Sequence, residues 1–573
     1  MFFVALATDY DGTLAQDGAV DSATIEALEE VKRSGRKLLL VTGRDLPDLR
    51  RAFPQVALFD LVIAENGALL FNPANKEETL LAEPPPAAFV DRLQQLGVAP
   101  LTVGRCIVST WEPNEKVVLD AIRELGLELH IVFNKGAVMV LPGNVNKAWG
   151  LKRALKPLCL SPHNVVGIGD AENDQVFLSR CGCAVAVANA LPSVKAKADL
   201  VVADHGAGVV ELARLLTGTD LQALGGSVPR SQPIVGVKED GSRIHLSPFQ
   251  TVLITGSSGS GKSTIVTALL EQIRDLGFQF CVVDPEGDYS EFPDAVVVGD
   301  ARQEPRISEI ARLLMKPEVS VAANLLAIEP VERPLFLARF LPEIAKLRSE
   351  TGRPHWIVFD EAHHCLPAKW DAAPVTLPTE LPAAIAVTAH PDEIAREFLD
   401  LVSTVIGIGD GAFAAIEKYC KAIARPLPGP SLQPAAEQAL ILAHGALDMV
   451  TPIKPKDRQK RHARKYAEGE LPEDRSFFFR GAKGNLNLRA HNLSTFLRLA
   501  EGVDDETWLF HLRRSDYSRW LRDGIKDDDL ASEVFGVEAD TSLSAYESRA
   551  RIREFVDCRY TAPSKARRRS EGG

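Results

Sequence analysis

The sequence predicts an α/β protein with two separate parallel sheets, followed by a small, mainly helical domain. Its 573 residues are too many for one hydrophobic core and correspond to three or four domains at about 150 residues each. Apolar strand patterns alternate with helical patterns in two long stretches, which is typical of parallel sheets. A segment rich in Gly, Ser, Pro and Gln at 217–232 separates the two stretches. The last part of the chain is instead dense in Arg, Asp and aromatic residues.

Composition excludes several classes of protein. Apolar residues make up 46% and charged residues 25% of the chain, as in ordinary folded domains. The net charge of -12 argues against a surface that is basic throughout and binds nucleic acid along its length. It does not exclude local basic patches. The eight cysteines include no CxxC pair, so neither a zinc site nor a disulfide framework is expected.

No membrane segment is expected. The opening Met1–Ala7 is apolar, but it lacks basic residues and runs directly into Asp9, which predicts a buried strand rather than a signal peptide. The chain also lacks an apolar run of about 20 residues. We therefore expect a cytoplasmic protein with reduced thiols and no membrane partner.

Residues 1–217 are expected to form the first α/β domain. Its strands are predicted at 2–8, 37–41, 61–64, 165–168 and 184–188, and its helices at 22–34 and around 194. Helix and strand patterns at about 71–143 form an insertion, which is expected to fold as a small α+β lid. Residues 218–232 have the composition of a linker.

The second α/β domain is expected at 233–450. It begins with a hairpin around the Glu-Asp-Gly-Ser turn. Its predicted elements are the hairpin strands 234–237 and 243–246, the strands 251–255, 279–283, 319–326, 355–359 and 384–388, and the helices 262–275 and 331–349. A basic linker is expected at 451–470, a third domain at 471–560 and a disordered basic tail at 561–573.

Acidic and polar residues cluster at strand ends and at one helix start of the first domain. They are Asp9-Tyr-Asp11-Gly-Thr, Thr42-Gly-Arg44, Lys147 and Gly169-Asp170-Ala-Glu-Asn-Asp174. The carboxyl ends of parallel strands meet at one edge of a sheet, so these side chains are expected to share a pocket. In order and placement the motifs resemble the haloacid dehalogenase superfamily over about residues 1–217. The insertion after Asn66-Gly67 resembles the type II caps of Cof-like, sugar-phosphate and phosphoglycolate phosphatases.

This resemblance implies a Rossmann-like domain with a small cap and a magnesium-dependent phosphatase activity. Asp9 is then the nucleophile that forms an aspartyl-phosphate, and Asp11 is the general acid and base. Thr42 and Lys147 would hold the phosphoryl group. The magnesium ligands would be Asp9, the Asp11 carbonyl, Asp170 and Asp174. The implied substrate is a small phosphorylated metabolite, such as a sugar phosphate or a hydroxy-acid phosphate.

A glycine-rich loop lies between a strand and a helix of the second domain. Residues 256–263, Gly-Ser-Ser-Gly-Ser-Gly-Lys-Ser, match every constrained position of the P-loop signature. Backbone N–H groups of such a loop surround phosphate oxygens, while Lys262 serves the terminal phosphates and the Ser263 hydroxyl serves magnesium. ATP is therefore the expected cofactor of a P-loop NTPase domain. Its expected binding residues are Gly256, Ser257, Ser258, Gly259, Ser260, Gly261, Lys262, Ser263 and Thr264.

Two adjacent carboxylates, Asp360 and Glu361, follow the strand predicted at 355–359. Asp360 is expected on the magnesium side of ATP. Glu361 is expected to orient and polarise the attacking water, which favours hydrolysis over transfer to a small acceptor.

Together with Asp284-Pro-Glu-Gly-Asp-Tyr289, the Asp-Glu-Ala-His sequence makes residues 232–420 similar to the HerA/FtsK class of ATPases. That class has a polar sensor residue where Thr388-Ala-His-Pro391 stands here without the usual glutamine. The sensor therefore stays open. The arginine finger also stays open among Arg333, Arg339, Arg353 and Arg396.

The main hypothesis joins a phosphatase and an ATPase in one chain, and two alternatives remain. HerA and FtsK relatives are ring-forming DNA translocases, so the second hypothesis is a DNA-associated ATPase whose phosphatase trims nucleotide or nucleic-acid ends. The basic run at 454–465 could contact phosphates, although a charged linker is the commoner explanation of such a run. The third hypothesis is a metabolite kinase that opposes the phosphatase, which Glu361 disfavours. A homo-oligomer formed through the ATPase domain is left open.

The third domain has an aromatic and charged signature. A strand is predicted at 476–480 and a helix at 492–499, followed by a segment that contains Trp508, Tyr517 and Trp520. Aromatic rings beside guanidinium groups can form a binding surface. They can also hold together a small helical domain with a thin core, and both interpretations stay open.

Overall fold

The computed structural model describes most of the chain. The described residues are 1–134, 136–222, 232–257, 259–290, 292–293, 295–369, 379–427, 432, 434–435, 438–456, 471, 473–481, 484, 486–525 and 527–560. They divide into two compact units, the first being Met1–Pro285 with Asp294–Lys456 and the second Glu286–Pro293 with Asp457–Gly573. Within the first unit we call residues 1–222 the first lobe, and residues 232–285 with 295–456 the second lobe.

The first lobe contains twelve strands in two sheets. In chain order they are β1 (Ala5–Asp9), β2 (Lys37–Val41), β3 (Leu61–Ala64), β4 (Leu69–Asn72), β5 (Glu77–Leu80), β6 (Thr102–Val103), β7 (Val108–Trp111), β8 (Leu129–Asn134), β9 (Ala137–Pro142), β10 (Val165–Gly169), β11 (Cys183–Val187) and β12 (Leu200–Val202). The main sheet has the order β12-β11-β10-β1-β2-β3-β4-β5. It is parallel from β12 to β3, and β4 and β5 extend it by antiparallel pairing.

Helices cover the main sheet. Their bounds are Ser22–Arg33, Leu46–Ala52, Lys147–Leu155, Gln175–Leu178, Pro192–Lys195 and His205–Thr219. β1, β3, β10 and β11 are buried along their whole length, as expected for parallel strands enclosed on both faces. The first helix begins where the Asp21 side chain accepts a hydrogen bond from the Thr24 N–H, a normal N-cap for a polar residue.

The smaller sheet of the first lobe forms a separate cap with the order β6-β7-β9-β8, all pairs antiparallel. The helices Ala87–Gln95 and Glu115–Glu124 pack on one face of this sheet through Phe89, Leu93 and Val118. Met139 on the other face packs with Ala68 of the main domain.

The described residues of the second lobe form one sheet of eleven strands. In chain order they are β13 (Ile234–Val237), β14 (Arg243–His245), β15 (Thr251–Thr255), β16 (Phe280–Asp284), β17 (Ala295–Val298), β18 (Ser320–Asn324), β19 (Trp356–Phe359), β20 (Ala384–Thr388), β21 (Thr404–Ile408), β22 (Ala439–Ala443) and β23 (Ala446–Pro452). The order is β14-β13-β23-β22-β21-β15-β20-β19-β16-β18-β17. β21 to β17 are parallel, and the other four strands add antiparallel pairs.

The helices of the second lobe pack mainly against the parallel part of its sheet. Their bounds are Lys262–Asp275, Ile307–Leu314, Arg333–Thr351, Arg396–Leu399 and Ala412–Ala422. β20 lies between β15 and β19, so the strand before the glycine-rich loop and the strand before Asp360 are not direct neighbours. The hairpin of β13 and β14 agrees with the sequence-based expectation.

The described residues of the second unit form a short hairpin and five helices. They are β24 (Phe477–Phe479), β25 (Leu488–Ala490) and the helices Leu493–Gly502, Asp505–Leu512, Asp516–Asp523, Asp528–Ala539 and Ala545–Tyr560. Trp508 and Tyr517 stack in the core with ring centroids 4.4 Å apart. The Trp508 indole donates to the Ser548 hydroxyl at 2.9 Å, so its polar edge is satisfied despite burial.

The fold class predicted from the sequence is confirmed, with two α/β lobes followed by a mainly helical region. Among the described residues, no helix has the length and apolar character that crossing a membrane requires. The linker expected at 218–232 and the basic linker expected at 451–470 fall largely outside the described residues, and the tail at 561–573 falls entirely outside them.

Candidate active sites

Three predicted residues of the first lobe meet at one edge of the main sheet. Asp9 pairs in register with Val41, and Thr8 pairs with Ile168. Asp9 therefore ends β1 beside Thr42 and Asp170, which follow the adjacent parallel strands β2 and β10. All three side chains are buried. The loops after the carboxyl ends of parallel strands are where ligands of such sheets bind.

Lys147 enters this pocket from the start of its helix. The Asn146 side chain caps that helix by accepting from the Trp149 N–H at 2.9 Å. The Lys147 Nζ lies 2.5 Å from Asp9 Oδ1 and 2.6 Å from Asp174 Oδ1. Burial lowers the pKa of Lys147, but the carboxylates of Asp174 and Asp9 more than offset this, so its pKa is raised overall. Lys147 is therefore a charged ammonium group between two carboxylates.

Asp9, Asp170 and Asp174 form a compact group of carboxylates. One oxygen from each lies within 4.8 Å of the others. Asp174 is oriented because its Oδ2 accepts from the backbone N–H groups of Asp170 and Ala171 at 3.0 and 2.9 Å. Thr13 donates its hydroxyl proton to Asp170 Oδ1 at 3.2 Å. These carboxylates thus retain fixed directions inside the pocket.

The charges of this pocket fit a divalent cation. Burial raises the pKa of Asp9 well above its usual range, and the carboxylates of Asp174 and Asp170 add to the effect, while Lys147 opposes it. Three carboxylates and one ammonium group give an excess of negative charge in a buried place, which is costly without a further positive charge. Oxygen ligands at this density suit a hard ion such as Mg²⁺.

Asp11 lies in a different environment from Asp9. The Arg44 guanidinium holds it through two hydrogen bonds, from Nη2 to Oδ1 at 2.6 Å and from Nε to Oδ2 at 2.8 Å. Arg44 also contacts Asp48 at 2.8 Å. Arg44 belongs to the Thr42-Gly-Arg44 motif, but the sequence predicted no role for its side chain. A bidentate pair fixes the direction of a carboxylate as well as its charge.

Two further residues hold the loop that carries Asp11, and sequence reasoning missed both. The Asn189 Nδ2 donates to the Gly12 carbonyl at 2.7 Å, and the His205 Nδ1 lies 3.1 Å from the same oxygen. Asn189 Oδ1 in turn accepts from the His205 N–H at 2.9 Å. Their only sequence signal was their position after β11 and β12, at the same edge of the sheet as the predicted motifs.

Glu65 joins the main domain to the cap. Its carboxylate is fully buried and accepts from the N–H groups of Arg105, Cys106 and Ile107 at 2.7, 2.7 and 3.1 Å. A side chain at Gly43 would place its Cβ 3.3 Å from the Met139 Cε of the cap. The cap therefore lies directly over the loop that contains Thr42.

The glycine-rich loop of the second lobe has the geometry its sequence requires. Gly256, Gly259 and Gly261 have φ values of 155°, 75° and 102°, and the last two lie in the region that favours glycine. A Cβ at Gly256 would approach the Ile408 carbonyl oxygen to 2.5 Å. The Lys262 Nζ donates to the Gly256 and Ser257 carbonyls at 3.0 Å each. Ser258, also predicted to bind ATP, lies outside the described residues.

Two hydroxyl groups support a ligand at this loop. Thr255 Oγ1 and Ser260 Oγ are buried and have no hydrogen-bond partner within the described part of the chain. Buried polar atoms normally have partners. A phosphate-bearing ligand in the loop would supply acceptors beside them, so the residues present fit ATP.

Asp360 and Glu361 follow β19, as predicted. Glu361 has a φ of 38°, which is uncommon for a residue with a side chain. His363 lies beside it, with Nδ1 3.6 Å from Glu361 Oε2 and 3.0 Å from Thr388 Oγ1. Burial lowers the pKa of His363 and the Glu361 carboxylate opposes this shift. Glu361 therefore belongs to a polar group that includes Thr388, the position at which the sensor was left open.

Two of the four arginine-finger candidates donate hydrogen bonds to backbone carbonyls inside the fold. Arg353 is fully buried, and its guanidinium donates to the Leu314 and Cys159 carbonyls at 2.8 and 2.6 Å. Arg333 is 9% exposed, and its Nε donates to the Ile328 carbonyl at 3.3 Å. A finger must reach the phosphates of a bound nucleotide, so these two arginines do not suit the role.

Two families match this chain. The profile of the haloacid dehalogenase-like hydrolases matches residues 6–97 and 106–212. The profile of the central domain of helicase HerA matches residues 244–339. The second match contains the glycine-rich loop and ends before Asp360.

Proteins similar to the first lobe include several phosphoglycolate phosphatases. The protein of Methanopyrus kandleri is 32% identical over 224 residues, which are 36% of this chain and 95% of the relative. That of Halorubrum lacusprofundi is 33% identical over 210 residues, 35% of this chain and 90% of the relative. That of Methanothermobacter thermautotrophicus is 29% identical over 224 residues, 37% of this chain and 99% of the relative. The first lobe thus spans nearly the whole of each relative.

Proposed function

Because the chain belongs, through its first lobe, to the haloacid dehalogenase-like hydrolases, we propose that it is a magnesium-dependent phosphatase of small phosphomonoesters which also hydrolyses ATP at a second site. The observation that carries the phosphatase assignment is the Lys147 ammonium group held between Asp9 and Asp174 at the carboxyl edge of the main sheet. A nucleophilic carboxylate, a fixed cation and further carboxylates for a metal ion are the groups that phosphoryl transfer to an aspartate needs.

The reaction proceeds in two displacements. An Asp9 oxygen attacks the phosphorus, the bond from phosphorus to the substrate oxygen breaks, and Asp11 gives its proton to the leaving oxygen. Asp11, now a carboxylate, removes a proton from water as the water oxygen attacks the aspartyl-phosphate. Inorganic phosphate leaves and Asp9 is restored. Lys147 and the Thr42 hydroxyl hold the phosphoryl oxygens throughout.

A magnesium ion would be held by Asp9, Asp170, Asp174 and the Asp11 carbonyl. When bound, it would offset the negative charge of the phosphoryl group. Arg44 positions Asp11 through two hydrogen bonds. The Asp9 carboxylate instead contacts Lys147.

The substrate is a small molecule because the cap covers the pocket, with Met139 close to Gly43. The relatives named as phosphoglycolate phosphatases make 2-phosphoglycolate the first compound to test. Sugar phosphates are the second group, since the cap and not the carboxylate pocket selects the leaving group.

The second site supports ATP hydrolysis. The glycine loop, Lys262 and the unpartnered buried hydroxyls among the described residues provide the phosphate cradle. Ser263 and Asp360 would hold its magnesium ion, and Glu361 would polarise the water. The match of this region to the HerA central domain supports the same assignment.

The test measures both activities on the same protein samples. Phosphate release from 2-phosphoglycolate, a set of sugar phosphates and ATP is assayed with magnesium for wild type, Asp9→Asn and Lys262→Ala. Asp91→Asn, an exposed change on a cap helix, is the control for loss of one carboxylate.

We expect Asp9→Asn to lose monoester hydrolysis and to keep ATP hydrolysis, and Lys262→Ala to show the reverse. Loss of both activities in a folded single variant would contradict two independent sites. If no monoester is hydrolysed by wild type while ATP is, the phosphatase assignment is wrong.

A further inference from the structure

The second unit contains an open cleft that neither proposed activity uses. The cleft has a volume of about 630 Å³ and lies between β24 and the helices Asp505–Leu512 and Asp516–Asp523. This volume is within the range of small-ligand sites, about 300–1,000 Å³. We refer to it as the C-terminal cleft.

The charges that line the C-terminal cleft favour an anion. Four arginines and two aspartates line it: Arg475, Arg480, Arg514, Arg519, Asp516 and Asp523. Arg514 and Arg519 share one carboxylate, that of Asp516, at 3.6 and 3.5 Å. Among the carboxylate side chains that the structure describes in this unit, none forms an ion pair with Arg475 or Arg480. Guanidinium groups in a concave site recognise carboxylate or phosphate groups.

Aromatic rings also line the C-terminal cleft and provide flat surfaces for stacking. The Arg480 guanidinium lies over the Phe478 ring at 5.4 Å, and that of Arg514 lies over the Phe510 ring at 5.0 Å. Trp520 also lines the cleft, and its indole N–H donates to the Arg475 carbonyl at 2.9 Å. Stacked rings and guanidinium planes bind planar heterocycles, since every nucleobase has a π face.

The four arginines of the cleft do not belong to the core of the unit. Its buried apolar cluster includes Phe496, Trp508, Tyr517 and Leu521 and contains none of the four arginines. Arg514 and Arg519 remain more than half exposed, at 61% and 64%. The four arginines with Phe478 and Phe510 therefore form a surface beside the core, whereas Trp508, Tyr517 and Trp520 belong to the core itself.

A catalytic role for the cleft is disfavoured by its histidine. His511 Nδ1 lies 2.9 Å from Asp516 Oδ2, an arrangement that resembles a histidine–carboxylate pair of a hydrolase. Its Nε2, however, accepts from the Arg480 N–H at 3.1 Å. The lone pair that a general base would use is thus occupied. His511 instead fixes the end of β24 and with it the position of Arg480.

We propose that the C-terminal cleft binds a nucleoside phosphate, with the base against the Phe478 and Phe510 side and the phosphate on Arg475 and Arg480. The ligand is either a free nucleotide or one unit of a single-stranded nucleic acid, because the two share this chemistry. The proposal does not depend on the phosphatase or the ATPase assignment.

The test uses the full chain carrying Asp9→Asn and Lys262→Ala, so that the other two phosphate sites are impaired. Binding of two probes is measured by fluorescence anisotropy. The probes are a fluorescent ADP analogue and a labelled oligothymidylate of twelve nucleotides. Each is measured with Arg480→Ala, Arg514→Ala and Phe510→Leu added to this background. Arg513→Ala is the matched control, because Arg513 is an exposed neighbour of Arg514 that does not line the cleft. Circular dichroism and thermal unfolding verify that each variant folds.

We expect at least tenfold weaker binding in Arg480→Ala and Phe510→Leu, and no change in Arg513→Ala. Saturable binding of the ADP analogue identifies a free nucleotide, whereas binding of the oligothymidylate alone, weakening steeply with salt, identifies a nucleic-acid strand. Inorganic pyrophosphate that competes fully, combined with no effect of Phe510→Leu, overturns the nucleoside part of the proposal. Absence of binding, or equal binding in all variants, overturns the site.

Discussion

Charge balance at single residues explains the chemistry expected of the first-lobe pocket. Within the described part of the chain, Lys147 contributes an ammonium group to a pocket of three carboxylates, and its two short contacts are with Asp9 and Asp174. Asp11 does not share this ammonium group, because its carboxylate pairs with the Arg44 guanidinium. Two carboxylates only two positions apart in the sequence can therefore have different roles, because their environments differ.

Arg44 provides a test of this separation. Removing its guanidinium in Arg44→Ala leaves Asp11 without its two hydrogen bonds, so Asp11 is no longer held in one direction for proton transfer. We expect kcat for the phosphomonoester to fall about tenfold or more, within the range of a general acid's contribution. Arg51→Ala is the control, since Arg51 pairs with Asp48 and not with Asp11 among the described residues, and its side chain is 75% exposed. An unchanged kcat in Arg44→Ala would show that Asp11 does not need this support.

Glu361 provides the corresponding test in the second lobe. Glu361→Gln keeps the size of the side chain and removes the charge that polarises water. We expect ATP hydrolysis to fall by about 10²-fold while nucleotide affinity is retained. Affinity is measured with a fluorescent ATP analogue and hydrolysis by phosphate release. Glu393→Gln serves as the control because Glu393 is 61% exposed; parallel loss of affinity and hydrolysis in Glu361→Gln alone would assign Glu361 to binding.

At the scale of elements, the strands that precede the phosphate-site motifs could be predicted from the sequence, and several other strands could not. β1, β2, β3 and β10 are short apolar runs that end in polar residues, and the structure places them close to the predicted bounds. β21, β22 and β23 were not predicted, although they complete the second sheet. β21 pairs in parallel with β15, which is distant in the chain, and no local pattern specifies that partner. β22 and β23 form a hairpin around His444 and Gly445, a local turn signal that the prediction did not use.

The same limit applies to the candidate sites. Asp9, Thr42, Lys147, Asp170 and Asp174 could be predicted because each stands at a strand end or a helix start. Asn189 and Glu65 could not, because their roles come from backbone groups that approach only after folding.

The turn before β4 shows how one backbone position places the helix that begins at Lys147. Gly67 has a φ of 102°, and a Cβ there would lie 2.1 Å from the Asn146 carbonyl oxygen, immediately before Lys147. We expect Gly67→Ala to lower both the melting temperature and kcat, because the start of the Lys147 helix must move. Gly97→Ala is the control, since Gly97 also has a positive φ of 73° but has no atom within 4 Å of the added Cβ.

Backbone strain alone costs about 1 kcal/mol. Gly97→Ala should therefore show a modest loss of stability and a normal kcat. Equal effects of the two substitutions on thermal unfolding and on kcat would contradict the assigned role of the close approach at Asn146.

At the scale of the whole first unit, a buried polar network joins the two lobes. Asn164 Nδ2 donates to the Phe2 carbonyl at 2.8 Å and to the Gly352 carbonyl at 3.2 Å. Its Oδ1 lies 2.9 Å from the His355 Nε2, and the His355 Nδ1 accepts from the Gln279 N–H at 2.8 Å. Both ring nitrogens of His355 are thus used in its neutral form. Satisfied polar groups of this kind fix one arrangement of the surfaces they join.

This network predicts that the first unit loses stability in mild acid. Burial lowers the pKa of His163 to about 4, and burial together with the neighbouring His163 lowers the pKa of His355 well below its usual range. The unfolded histidines bind protons below pH about 6.5, whereas the folded ones stay neutral until much lower pH. The unfolded state therefore binds more protons, and stability falls as pH drops through this window. For His163 the loss at pH 5 is about 2 kcal/mol.

His163→Phe isolates this contribution. The substitution keeps the stacking on Phe278, where the ring centroids are 4.0 Å apart, and removes a titratable group. We expect the melting temperature of the full chain to fall less between pH 7.5 and pH 5 in this variant than in wild type. His245→Gln, which removes a histidine on β14, is the matched control. A pH dependence in His163→Phe as steep as that of wild type would mean that the acid sensitivity arises outside the contact between the lobes.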